Sequence, residues 1–187
     1  DAFKPVNILA VAEKYNTQNK FVMLGVATAW GIRKGLTDYI KLSDYLNEDE
    51  VIILVGLSKS QLEGLPSNII GLERTENIEE LVELYNLADT VLNLSYEETF
   101  GMTTVEGFAC GTPGIVYSAT ASPELITPDV GYIVEPSNIE QLVDAISKIK
   151  NKGKDYYFDA CVSRAKDMYD KEDRFDEYIE LYEKLMS

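Results

Sequence analysis

Short apolar runs alternate along the chain with longer stretches in which apolar residues recur every three or four positions. The runs predict strands over residues 21–27, 51–56, 68–72, 91–94, 115–117 and 131–134. The stretches predict helices over 36–46, 78–88, 105–110 and 139–150, followed by an acidic helical tail from residue 154. The run 51–56 is almost wholly apolar, as is typical of a strand buried on both faces. This alternation indicates an α/β fold with a doubly wound, mostly parallel, six-stranded Rossmann-like sheet.

Local signals refine the helices of this fold. Three candidate caps mark helix starts: the capping boxes Ser58–Gln61 and Ser137–Glu140, and Asn77. The periodicity also predicts which residues face inward, namely Ile40, Leu42 and Leu46 in one helix and Leu81, Leu84, Tyr85 and Ala88 in the next.

The first twenty residues are weakly patterned. Pro5 and Asn16 favour an irregular lead-in there. We therefore expect residues 1–20 to be a linker or lead-in and residues 21–187 to be one domain, a length that can bury a sizeable core.

Composition and charge exclude several classes of partner and of catalytic or metal site. The formal net charge of −15 argues against nucleic acid or an anionic membrane as a partner of the general surface. The absence of histidine excludes histidine-based catalysis and histidine metal ligands. Cys110 and Cys161 fit no metal or disulfide spacing, and Cys110 reads as a packing residue. With no signal-peptide pattern and no membrane-length apolar run, we expect a cytoplasmic protein.

The candidate chemistry lies where predicted strands lead into helices, the place where open parallel sheets bind ligands. The loop after the first strand carries Arg33 and Lys34, two adjacent cations that can meet a phosphate. After the fourth strand comes the segment Tyr96–Gly107, in which Glu98 and Glu106 flank Phe100 and Gly101. Free N–H groups at a helix start can hold an anion, and carboxylates can accept hydrogen bonds from sugar hydroxyls.

Each of these features also has a purely structural interpretation. Arg33 and Lys34 can be a solvated basic pair, and Arg74 after the third strand is flanked by carboxylates that favour a surface ion pair. Thr103 and Glu106 fit a capping box. The first strand is not followed by the phosphate-binding glycine motif of dehydrogenases or NTPases, which disfavours both of these enzyme classes.

The spacing of Glu98 and Glu106, with Phe100–Gly101 between them, resembles the E-x7-E motif of retaining GT-B glycosyltransferases, family four in particular. Further segments resemble this family over nearly the whole chain. They are Gly25 with Arg33–Gly35, Ile52–Gly56, Glu80–Asp89, Gly111–Pro113 and Ser122–Glu124.

The resemblance implies roles for individual residues. Lys34, with Arg33, would bind the donor diphosphate and stabilise the charge that develops on it. Glu98 would hold hydroxyls of the donor sugar, so that Lys34 and Glu98 are the expected catalytic residues. Glu106 would accept hydrogen bonds from the ribose. The helix mouth would face the sugar and diphosphate through the residues Phe100, Gly101, Met102 and Thr103.

The resemblance also implies that this is the donor-binding, C-terminal half of a longer enzyme. The donor is a nucleoside-diphosphate sugar, the acceptor a saccharide or glycolipid, and no metal cofactor is expected. The acceptor-binding N-terminal domain would be the partner, and any membrane contact would come through it rather than through this domain. By itself the domain is expected to bind donor weakly and to transfer nothing.

Two positions depart from the family pattern, and the alternatives stay open. Val26 stands where many members have an arginine, and Ala121–Ser122 replaces a Gly-Gly pair. A non-catalytic scaffold of this fold, or another GT-B enzyme such as a nucleotide-sugar epimerase or a phosphorylase, fits the same fold. The residues do not identify the sugar, the base or the acceptor.

Overall fold

The computed structural model describes residues 2–186. The strands are β1 (Phe21–Val26), β2 (Glu50–Val55), β3 (Ile69–Leu72), β4 (Thr90–Asn93), β5 (Gly114–Tyr117) and β6 (Gly131–Val134). The helices are α1 (Leu9–Lys14), α2 (Leu36–Ser43), α3 (Lys59–Leu62), α4 (Ile78–Leu87), α5 (Met102–Ala109), α6 (Ile139–Lys152), α7 (Asp155–Tyr169) and α8 (Lys171–Met186). Short 3-10 turns span Ile32–Lys34 and Ser122–Leu125.

The strands form one sheet in the order β3-β2-β1-β4-β5-β6, and every neighbouring pair is parallel. The predicted six-stranded Rossmann-like fold is therefore confirmed, and the sheet is wholly rather than mostly parallel. All strands end at the same edge, which we call the carboxyl edge. The strand order reverses between β1 and β4, and in open parallel sheets such a switch point forms a ligand-binding crevice beyond the carboxyl ends of the strands.

The core has a layer on each face of the sheet. Alternate residues of a strand point to opposite faces. Thus Met23 packs with α2 and α6, whereas Leu24 packs with α1 and α4. Both side chains are fully buried. The helices on both faces fix the ends of the strands, and so hold the carboxyl-edge loops in place.

Two details of the helices differ from the sequence prediction. Ile40 was expected to face inward but is 39% exposed, because Tyr39 and Leu42 form the buried face of α2. At the start of α6 the capping side chain is that of Asn138, which accepts a hydrogen bond from the Gln141 N–H at 3.1 Å. Ser137 instead has a positive φ of 60° and precedes the cap.

Other local predictions are confirmed. Asn77 caps α4 by accepting from the Glu80 N–H at 2.8 Å. The Gln61 side chain accepts from the Ser58 N–H at 2.9 Å, as the capping box requires. The tail after residue 154 is helical, as α7 and α8. None of the helices within residues 2–186 is long and apolar enough to cross a membrane.

The lead-in is more ordered than its sequence indicated. It contains α1, which packs against α4 and buries Val11. Glu80 on α4 joins the two helices, because its buried carboxylate accepts from Lys14 Nζ and from the Tyr15 hydroxyl, each at 2.6 Å. The Glu76 N–H donates to the same carboxylate, also at 2.6 Å. Burial acts to raise the pKa of Glu80, but these donors outweigh it and the pKa lies below the ordinary value.

We predict that Glu80→Gln lowers the free energy of unfolding at pH 7 by about 1 to 3 kcal/mol, because charge-assisted hydrogen bonds are lost. A carboxylate with a lowered folded-state pKa stabilises the fold above its unfolded pKa, and this stabilisation is lost as the pH falls through the folded-state pKa. The difference between the two proteins should therefore vanish in acid. Urea denaturation over a pH series measures it, with exposed Glu79→Gln as the matched control. A difference that persists unchanged below pH ~3 would contradict this account.

Candidate active site

The crevice at the carboxyl edge lies between the loop after β1 and the loop after β4. Gly35 ends the first loop with a left-handed φ of 72°, and a Cβ there would lie 2.2 Å from the carbonyl oxygen of Leu94. Only glycine fits such a close approach. The two loops are joined by a second contact, the hydrogen bond from the Tyr96 N–H to the Arg33 carbonyl at 2.9 Å.

The structure brings together two of the residues singled out in the sequence. Lys34 Nζ lies 2.6 Å from Glu98 Oε2, and the two side chains are 24% and 14% exposed. Burial acts to raise the pKa of Glu98. The hydrogen bond and charge of Lys34, with the N–H groups of Thr99 and Phe100, outweigh that effect, so the pKa lies below the ordinary value for glutamate. Glu98 is therefore a charged acceptor beside a cation.

Further contacts hold Glu98 in position. Its backbone N–H donates to Thr120 Oγ1 at 2.8 Å, and its carbonyl accepts from the Ala121 N–H at 3.4 Å. Thr120 has a positive φ of 50° in the loop after β5. Three loops of the carboxyl edge thus converge on Glu98, one through its carboxylate and one through its backbone groups.

The start of α5 is open beside this ion pair. Gly101 precedes the helix with a φ of 96°, and a Cβ there would lie 2.8 Å from Leu125 Cδ1. Thr104 and Val105 donate their N–H groups to the Gly101 carbonyl. Within residues 2–186, the N–H groups of Met102 and Thr103 have no hydrogen-bond acceptor. Such groups, at the positive end of a helix dipole, suit an anion.

Glu106 has a different setting from Glu98. It lies on α5 and faces α4, where its Oε2 accepts from the buried Tyr85 hydroxyl at 2.6 Å. The capping-box alternative for Glu106 is therefore wrong: the side chain is bonded to Tyr85 and not to the Thr103 N–H. Burial raises the pKa of Glu106, and the Tyr85 hydrogen bond opposes this rise.

The remaining candidates have separate surroundings. The Arg33 side chain is exposed and makes no ion pair with any described residue. The side chain of Phe100 packs edge-to-face on Tyr169 with ring centroids 5.6 Å apart. It lines an apolar groove of about 440 Å³ between α5, α7 and α8. Its N–H group, expected to face the donor, is directed at Glu98.

Two expectations about surrounding residues need correction. Arg74 was expected to form a surface ion pair, but it makes none within the described part of the chain, and Glu76 pairs with Lys14 instead. The 12 tyrosines are scattered along the sequence, which predicts half-buried helix and strand faces for most of them. Several are fully buried, and among these Tyr85 donates its hydroxyl to Glu106. Its position on the predicted inner face of α4 indicated burial, but nothing in the spacing linked it to Glu106.

Solved structures of similar fold are available for comparison. The crystal structure of HepE from Anabaena in complex with UDP-glucose matches 98% of this chain and 54% of its own, with a TM-score of 0.82 and 19% sequence identity. The C-terminal domain of the group 1 glycosyl transferase LpcC from Francisella tularensis matches 91% of this chain and 97% of its own, with a TM-score of 0.73 and 23% identity.

Curated relatives are similar in sequence. The alpha-galactosylglucosyldiacylglycerol synthase of Streptococcus pneumoniae is 28% identical over 180 residues, which cover 83% of this chain and 47% of the relative. The O-antigen chain mannosyltransferase RfbU of Salmonella typhimurium is 27% identical over 174 residues, 84% of this chain and 48% of the relative. The chain thus spans about half the length of these two relatives.

The family model of the glycosyl transferases group 1 matches residues 7–167, which is most of the chain and includes the whole sheet. The match also includes α1, within the segment expected to be a linker. The chain therefore belongs to the glycosyl transferase group 1 family, and its fold is that of the C-terminal half of a GT-B glycosyltransferase.

Proposed function

We propose that this chain binds the nucleoside-diphosphate-sugar donor of a retaining glycosyltransferase, with the diphosphate at Lys34 and the sugar at Glu98. The observation that carries the proposal is the ion pair between these two side chains, 2.6 Å apart at the mouth of α5. A nucleoside-diphosphate sugar presents an anionic diphosphate beside a neutral polyol. The Lys34 cation suits the anionic diphosphate, and the Glu98 carboxylate suits the hydroxyl groups of the sugar.

The ion pair does not prevent Lys34 from binding phosphate. An ammonium group has three N–H donors, so one can remain on Glu98 while another meets a diphosphate oxygen. Glu98 has two carboxylate oxygens, and Lys34 contacts Oε2 at 2.6 Å while the Thr99 N–H contacts Oε1 at 3.2 Å. Each oxygen keeps a lone pair that a sugar hydroxyl can approach.

The same groups would assist the transfer step. When the bond between sugar and diphosphate breaks, negative charge builds up on the leaving oxygen. Lys34 and the open N–H groups of Met102 and Thr103 are fixed donors beside the place where that charge develops. Preorganised donors of this kind stabilise a transition state more than a ground state. This role requires no metal ion.

The whole enzyme would use a second domain for the acceptor. The two curated relatives are about twice as long as this chain, and they are named for a glycolipid and for an O-antigen. We infer that the acceptor is a saccharide or glycolipid, held by the part of the protein outside this chain. Isolated, the 187-residue chain should bind donor and transfer no sugar.

Glu106 completes the donor site in this proposal. Its carboxylate would accept hydrogen bonds from the two ribose hydroxyls, and Tyr85 would fix its orientation. The second oxygen of Glu106 supports this role, because the 2.6 Å bond from Tyr85 occupies only Oε2.

Donor binding is tested by a thermal-shift screen with UDP-, GDP- and ADP-glucose. At a concentration about tenfold above Kd, a ligand should raise Tm by about 3 to 6 °C for a protein of this size. Lys34→Met should abolish this ligand-induced rise, because the charge on the diphosphate loses its partner. Lys20→Met, at the opposite edge of the sheet, is the matched control and should keep it. A protein that shows no shift with any of the three is a non-binding scaffold.

Removing the Tyr85 hydroxyl tests the setting of Glu106. Tyr85→Phe deletes the hydrogen bond that lowers the pKa of Glu106, so this pKa should rise further. Nucleotide affinity should fall about three- to tenfold, the loss of roughly one hydrogen bond. Carboxyl-carbon NMR titration and calorimetry measure the two effects. Tyr132→Phe is the control, because its hydroxyl is hydrogen-bonded to the Tyr157 hydroxyl and not to Glu106. An unchanged Glu106 pKa in Tyr85→Phe would refute the assignment.

A further inference from the structure

A buried carboxylate lies behind the ion pair. Asp38, in the first turn of α2, is 2% exposed. It accepts hydrogen bonds from the Tyr96 hydroxyl at 2.6 Å and from the Tyr117 hydroxyl at 2.8 Å. The Lys41 ammonium lies 3.7 Å from its other oxygen. A charge buried so completely is tolerated only with such partners.

The two tyrosines that contact Asp38 come from different elements. Tyr117 ends β5, whereas Tyr96 lies in the loop after β4, two residues before Glu98. Their rings pack edge-to-face, with centroids 5.5 Å apart. Burial raises the pKa of both hydroxyls and the Asp38 carboxylate adds to the rise, so both are protonated donors at neutral pH.

Tyr96 is attached at both of its ends to the segment that runs from the loop after β1 into the first turn of α2. Its backbone N–H donates to the carbonyl of Arg33, the residue before Lys34. Its hydroxyl donates to Asp38, four residues after Lys34. The hydroxyl also contacts that of Ser137, in the loop after β6. The segment that carries Lys34 is thus held on both sides by one residue of the segment that carries Glu98.

We propose that Asp38, acting through Tyr96, is a positioning residue that sets the separation of Lys34 and Glu98. It does not touch the donor site itself. Without this contact, the loop after β4 would keep its backbone bond to Arg33 but could rotate about it. The effect on donor binding rests on the proposed function, whereas the effect on the ion pair does not.

The alternative is that the cluster only stabilises the fold. Tyr117→Phe distinguishes the two, because it removes a hydrogen bond from the same carboxylate but none from the loop that carries Glu98. Tyr96→Phe removes the bond on that loop. Both variants keep the aromatic ring and its packing, so both should fold and lose comparable stability in urea denaturation.

The experiment is a carboxyl-carbon NMR titration of Glu98 in the full 187-residue chain, with the resonance assigned by Glu98→Gln. The pKa of Glu98 reports its distance from Lys34. In Tyr96→Phe it should rise by about half a pH unit or more towards the ordinary value for glutamate, and in Tyr117→Phe it should change by less than about 0.2. An unchanged pKa in Tyr96→Phe, or an equal rise in both variants, would overturn the proposal.

Calorimetry with UDP-glucose as the probe, or with GDP- or ADP-glucose if the screen favours one of these, gives the second readout. Tyr96→Phe should weaken binding by about threefold or more, and Tyr117→Phe should leave it unchanged. Equal weakening in both variants would count against a positioning role. If the wild-type chain binds none of the three, the proposed function fails, and the titration still decides whether Asp38 and Tyr96 position the ion pair.

Discussion

The loop after β1 and the loop after β4 meet at Gly35, and the rest of the site depends on that close contact. A side chain at this position would collide with the Leu94 carbonyl, so any other residue would force the two loops apart. Since Lys34 directly precedes Gly35 and Glu98 follows Leu94 by four residues, this contact also determines how near the ammonium comes to the carboxylate. Asp38 and Tyr96 reinforce it from behind. The backbone conformation at Gly35, the hydrogen bonds of Asp38 and the Lys34–Glu98 ion pair therefore depend on the same contact between the two loops.

The charges of the crevice differ from those of the general surface. With a formal net charge of −15, the general surface repels an anionic ligand. A diphosphate can be bound only where local groups overcome that field, and the crevice supplies an ammonium and the open end of α5. The two motif carboxylates differ in turn: Glu98 is held ionised by Lys34, whereas Glu106 is half-buried against a neutral hydroxyl. We interpret this difference as two separate roles, in which Glu98 binds the donor sugar and Glu106 binds the ribose.

The sheet was predictable because parallel strands buried on both faces need continuous apolar runs, which stand out in any sequence. The strand boundaries agree with the prediction to within about a residue for that reason. The pairing of Lys34 with Glu98 was inferable only as proximity, from the rule that strand ends share an edge. The contacts of Tyr85, Tyr96 and Tyr117 were not inferable, because a hydroxyl that reaches a carboxylate 21, 58 or 79 residues away leaves no local pattern. Likewise, the position of α1 was not inferable from its own sequence, because Glu80 of α4 binds Lys14 and Tyr15 from another helix.

The central claim is that the Lys34–Glu98 pair receives the donor, and a crystal structure of the chain with a bound nucleoside-diphosphate sugar tests it most directly. UDP-, GDP- or ADP-glucose would be used, according to which raises Tm most. The account predicts Lys34 Nζ at about 3 Å from a diphosphate oxygen and a Glu98 oxygen at the same distance from a sugar hydroxyl. A nucleotide bound elsewhere on the chain, with Lys34 contacting Glu98 alone, would contradict it.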